Sequence, residues 1–104
     1  MANIQDLINA IRARKIISFT YIEKKIHIRP IVCPTKIGVL TTGNNAIEGY
    51  WIDGDSVSKK LPPWRLYLLN SISDLKILDK TFSSVGKEYK QTDKRFSKID
   101  EYVY

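Results

Sequence analysis

Cysteine and histidine are almost missing from this 104-residue chain, which has one of each. A single thiol, Cys33, forbids an internal disulfide and suits a reducing compartment, so the expected location is the cytoplasm. Standing alone, it reads as a small buried hydrophobe and not as a nucleophile. One histidine and one cysteine also fall short of the closely spaced ligands a metal site needs, so neither metal nor cofactor is expected. Long hydrophobic runs are absent: nothing approaches the roughly 18 apolar residues of a membrane span, and no membrane partner is expected. The opening "MANIQDLINAIRARK" has an early acid and no continuous apolar block, which argues against a signal peptide. No glycine-rich phosphate cradle, internal repeat or long run of like charge appears. Asp53-Gly54-Asp55 lacks the remaining ligands of a calcium loop and reads as a hairpin turn.

What is present is positive charge. Lysine and arginine number 17 against 11 acids, a net charge of +6 with a pI near 9.5. Such a balance favours polyanions through counterion release, although any single lysine is more commonly a solvated surface group. A hydrophobic content of 43% with 27% charged residues is that of a soluble globular protein. The length fits one domain spanning 1–104.

Periodicity supplies the elements. Asn3 can cap a helix whose Ile4, Leu7, Ile8 and Ile11 share one face, with Arg12, Arg14 and Lys15 at its end where cations suit the dipole. From Ile16 the period becomes two: Ile17, Phe19 and Tyr21 point one way, Ser18 and Thr20 the other. "EKK" is a tight turn, and "KIHIRPIV" answers as a second strand. In it Ile26 and Ile28 oppose Lys25, His27 and Arg29, and Pro30 bends the strand or puts it at an edge. "PTKIGVLTTGNN" reads as a connection or a short strand with turns. "AIEGYWI", "WRLYLL" (after the "DGDS" turn and "KKLPP") and "SDLKILD" are further strands. Residues 83–92 read as irregular, and a short C-terminal helix capped by Asp93 would dock Phe96, Ile99 and Val103. The expected fold is mainly β (α+β): a small β-barrel of about five strands with an N-terminal helix and a short C-terminal one.

Catalysis finds little support. A nucleophilic triad would need His27 near a serine or Cys33 plus an orienting acid, which the sequence does not place, so a non-enzyme is expected. Binding has three sources. His27 and Arg29, with Lys25, share a strand face that suits an anion as well as it suits solvent. Tyr50 and Trp51 point to opposite faces, so one of them lies outside the core and could stack a ring. Trp64 and Arg65 also point apart. If Trp64, Leu66 and Leu68 fill the core, Arg65 shares the other face with Tyr67 and is the better ligand residue.

The order of these segments resembles a family. A helix and strand "LINAIRARKIISFTY", a strand ending before Pro30, the glycine-punctuated "AIEGYWI", then "PPWRLYLLNSISDLKILDKTF" and "KEYKQTDKRF" together resemble the WYL domains. The likeness covers nearly the whole chain, and the order and spacing of its weak motifs carry it. It implies an Sm-like β-barrel with a leading helix, of the kind found in bacterial transcriptional regulators and phage-defence proteins. It further implies a ligand-sensing module that binds nucleic acid or a nucleotide-like anion in a basic and aromatic groove. Carried over by position, Arg29, Tyr50 and Arg65 would line that groove, with Trp51 and His27 as secondary candidates. The chain departs from the family where Asn45-Ala46-Ile47 replaces the Trp-Tyr-Leu tripeptide, and where Leu69-Asn70-Ser71-Ile72 lacks the acid–base pair expected there.

Two expectations about function follow. One is a non-catalytic module contacting single-stranded nucleic acid or a nucleotide. The alternative is a protein-interaction subunit that forms a homodimer through an edge strand or exposed aromatics, or pairs with a separate regulatory protein.

Overall fold

The computed structural model describes residues 3–54, 64–83 and 94–103. The chain runs α1 (Ile4–Ala13), β1 (Lys15–Glu23), β2 (Ile26–Ile28), β3 (Pro30–Leu40), β4 (Asn45–Gly54), β5 (Trp64–Leu68), a 3-10 turn Leu69–Ser71, β6 (Ile72–Thr81) and β7 (Phe96–Tyr102). All pairings are antiparallel in one curled sheet, a half-barrel ordered β2-β1-β3-β4-β5, with β6 added to β1 and β7 to β3. "KKLPP", residues 55–63 generally, most of the stretch 83–92 and the Asp93 cap lie outside the described residues.

The helix forms as its sequence dictates. Asn3 Oδ1 accepts the backbone N–H groups of Gln5 (2.8 Å) and Asp6 (3.4 Å), satisfying two donors that the first turn leaves open. Leu7, Ala10 and Ile11 are buried against the sheet, whereas Ile4 sits at the margin of the stripe, 36% exposed. Arg14 ends the helix in a left-handed conformation (φ 53°) and returns its N–H to the last turn.

β1 keeps the predicted alternation. Ile17, Phe19 and Tyr21 enter the main core with Ile28, Val32, Ile37, Ile47, Tyr67, Leu69 and Ile72. Phe19, Tyr21 and Tyr67 form an edge-to-face trio, with Tyr67 5.0 Å from each of the other two rings. Such pairs add about 0.5–1.5 kcal/mol each beyond the area they bury. The Tyr21 hydroxyl also accepts the N–H of Leu68 at 3.1 Å, fixing the chain where it leaves β5. The 3-10 turn that follows carries it in three residues to β6 at the opposite margin of the sheet.

Proline and glycine do not break the middle of the chain into the expected connection or short strand with turns. "PIVCPTKIGVL" is a single eleven-residue strand at the centre of the sheet. Pro30 opens this interior strand and does not mark an edge; the register of β2 against β1 continues through it unbroken. Pro34 is tolerated because it stands where β3 changes neighbours. Val32 is the last β3 residue paired with β1, Lys36 is the first paired with β7, and the pairing with β4 is bulged at Thr35. That extra residue reverses the alternation, so that Val32 and Ile37 both face the core. Gly38 is no turn glycine: a side chain there would overlap the Lys98 carbonyl of β7.

The end of the chain differs as well. Phe96–Tyr102 is strand β7, paired with Lys36–Leu40, and not the predicted helix. Phe96 and Ile99 do dock, but in a second small cluster with Leu40, Ala46, Leu66 and Leu68. The helical spacing of those residues was also compatible with a strand whose alternation is broken, and β7 has two such register shifts. Among the described residues, seven strands therefore replace the expected five, and α1 is the one α-helix.

Candidate nucleic-acid interface

Alternation in β2 and β3 places Ile28, Pro30 and Val32 inward, so His27, Arg29, Ile31 and Cys33 face outward. On β1 the outward set is Ser18, Thr20 and Ile22, beside Lys76 of β6 (opposite Ser18). The Arg29 guanidinium donates to Thr20 Oγ1 across the strand pair and lies 4.0 Å from the exposed Asp74 carboxylate. Arg29 is 44% and Asp74 74% exposed, so this pairing contributes little to stability.

On β4 the same outer face carries Tyr50, opposite Cys33. Tyr50 packs edge-to-face on Trp64 of β5, ring centres 5.2 Å apart and planes at 86°. Both rings are half-buried. Beneath them Cys33 is buried, and that burial raises its thiol pKa, opposite to what a nucleophile needs. His27 and Cys33 are six residues apart along one strand path, roughly 20 Å from the strand rise. They do not form a pair.

The five residues singled out from sequence therefore divide between two faces. His27, Arg29 and Tyr50 are on the convex face. Trp51 packs against the main core on the concave side, and Arg65, opposite Gly49, shares that side with Tyr67. The grouping expected in β5 was right and its direction reversed: Tyr67 is 5% exposed in the core, while Leu66 and Leu68 belong to the outer cluster. No single groove gathers all five. The convex face gathers three of them with Trp64 and Lys76.

Sequence reasoning missed the farther end of this face. Lys36, 1% exposed, lies 3.5 Å from the Glu48 carboxylate directly across β4, with its ammonium 5.8 Å from the centre of the Phe96 ring. Arg95 donates to the second Glu48 oxygen at 2.6 Å, and the Thr35 hydroxyl donates to the Glu48 carbonyl at 3.1 Å. The network ties β7 to β3 and β4. A lysine inside the apolar run "PTKIGVL" is the only sequence hint of it, since the partners lie 12 and 59 positions away.

Among the described residues no cluster of three or more His, Cys, Asp or Glu could hold a metal ion, and no helix is long and apolar enough to cross a membrane. Comparison with family models, with curated proteins and with solved structures returns no match. The likeness to WYL domains accordingly rests on the order and spacing of residues in the chain itself.

Proposed function

We propose that this chain is a WYL-like, non-catalytic binding module on an Sm-like barrel, and that it takes single-stranded nucleic acid or a nucleotide-like anion on its convex face. The observation that carries the reading is the shared face of Arg29, His27, Lys76, Tyr50 and Trp64, where cations for phosphate sit on the same surface as rings for bases. The surface is the convex side of a curled sheet and not the expected groove. A leading helix over a curled antiparallel sheet, with β5 and β6 joined by a 3-10 turn, supports the barrel assignment.

The alternative, pairing through an edge strand, is less well supported. β6 is the long margin of the sheet, but its ladder with β1 is broken by two register shifts and carries Asp74 at φ 49°. Bulges and lysines such as Lys76 and Lys80 are what blunt an edge against pairing.

Fluorescence anisotropy with a labelled twelve-nucleotide oligothymidylate tests the proposal. Affinity is expected to fall steeply with salt, by about 0.7 in log–log slope per phosphate contact. Arg29→Ala with Tyr50→Ala should weaken binding at least about tenfold, because one stacked base alone is worth about 1–3 kcal/mol. Arg65→Ala, on the concave side, should leave affinity unchanged. Equal affinity of the double variant and the wild type would overturn the proposal.

A further inference from the structure

The β1–β2 hairpin breaks several local rules at once. Its two-residue turn is Lys24-Lys25, and both residues have positive φ, 49° and 68°. Two-residue hairpins of this handedness favour Asn-Gly or Asp-Gly, since a Cβ is crowded at positive φ. Beside the turn, Ile22 and Ile26 are 40% and 50% exposed, and every residue from Ile22 to His27 is exposed. The tip therefore projects beyond the core, whose last members here are Tyr21 and Ile28. Lys24, Lys25, His27 and Arg29 stand against a single acid, Glu23, in eight residues.

Nothing in the fold calls for lysine at the turn. Asparagine and glycine would close the same hairpin with less strain, and the core gains nothing from either ammonium. A local conflict that folding does not need points to a role in binding. The position specifies that role. Outward-facing His27 and Arg29 run from the tip toward Cys33, and Tyr50 lies opposite Cys33. The path from Lys25 to Tyr50 is roughly 25 Å along the strand.

We infer that the Lys24-Lys25 turn is a phosphate grip that extends the convex face, so that one polyanionic strand runs from the Tyr50–Trp64 rings past Arg29 and His27 to the hairpin tip. This rests on the nucleic-acid reading above and adds to it the strand's path and its far contacts. Turn strain is here the cost of placing two ammonium groups at the apex. The ligand class is a single-stranded polynucleotide long enough to reach the tip, and a mononucleotide would not use it.

The hairpin can be rebuilt to separate the two roles. Lys24→Asn with Lys25→Gly should raise the thermal midpoint while it lowers affinity for the labelled twelve-nucleotide oligothymidylate. The salt slope should fall by about 1.4, the value for two lost contacts to a single strand. Lys24→Arg with Lys25→Arg keeps the charge and should keep both affinity and slope. Lys24→Gln with Lys25→Gln, which leaves the turn strain in place, should reproduce the loss of slope without the gain in stability. A trinucleotide should not distinguish wild type from any of these variants. Unchanged slope in both the Asn-Gly and Gln-Gln proteins, with the wild type binding, would overturn the grip and leave the convex-face reading standing. A wild type that binds no oligonucleotide would overturn both.

Discussion

The two ends of the convex face use cationic side chains in opposite ways. At the β7 end, Lys36 and Arg95 converge on Glu48, are joined by the Thr35 hydroxyl, and sit beside Phe96 under a small apolar cluster. At the hairpin end, Lys24, Lys25 and Arg29 are all exposed, with Glu23 and Asp74 as the nearby acids. Removing a buried charge partner strands the other charge, whereas removing a surface cation leaves water to fill the space. The net charge of +6 thus conceals two populations. One holds strands together, and the other stands exposed to solvent.

The largest expected effect probes the first population. Glu48→Ala leaves the Lys36 ammonium buried without its carboxylate and should cost about 3–5 kcal/mol in urea unfolding. Replacing both, as Lys36→Met with Glu48→Leu, should recover most of that loss, because two well-packed apolar side chains carry no desolvation cost. A Glu48→Ala protein as stable as wild type would erase the contrast between the ends.

The concave side sharpens the contrast through pH. Burial pushes the Tyr67 phenol up to about 12 from its ordinary 10.0, with nearby Arg65 pulling it down and Tyr21 pushing it up more weakly. Tyr21 is raised as well, again mainly by burial. Below pH 10 the phenol is protonated in folded and unfolded chains alike and its contribution is complete. Between about pH 10 and 12 the unfolded chain releases its proton first, so stability falls as pH rises. The loss should be on the order of 2 kcal/mol, read from denaturant midpoints, and Tyr67→Phe should remove that share of the decline. A Tyr67→Phe protein with the full wild-type decline would show that the core phenol is not its source.

The smallest effect belongs to the hairpin end. Arg29→Ala should change stability by less than about 1 kcal/mol, since its ion pair with Asp74 is exposed and long. Its consequence should appear in oligonucleotide affinity instead. A larger loss of stability would place Arg29 with the structural cations of the other end.

Local chemistry made part of this legible. The Asn3 cap, most of the helix face and the alternation of Ile17, Phe19 and Tyr21 each depend on neighbours a few residues apart and are found where the sequence puts them, and the turn expected over Glu23–Lys25 is tightened to Lys24-Lys25. Pro34 and Gly38 suggest breaks in a strand because a single chain does not reveal who its neighbours will be. One marks the handover between β1 and β7, and the other the close passage of β7. The partition of the candidate site was equally hidden. Period two says that Tyr50 and Trp51, or Trp64 and Arg65, point apart, but not which of them points inward.

By itself, then, the sequence determined a mainly β chain with a capped N-terminal helix, an excess of cations, and the pairs of residues that must part company across a strand. Those follow from dihedral preferences and side-chain periods that act within a few residues. Tertiary structure alone decided which face of each strand is covered, that Phe96–Tyr102 extends the sheet, and that Lys36 is buried against Glu48. Each of these is set by the close packing of segments distant in the chain, where a bulge of one residue turns a whole strand over.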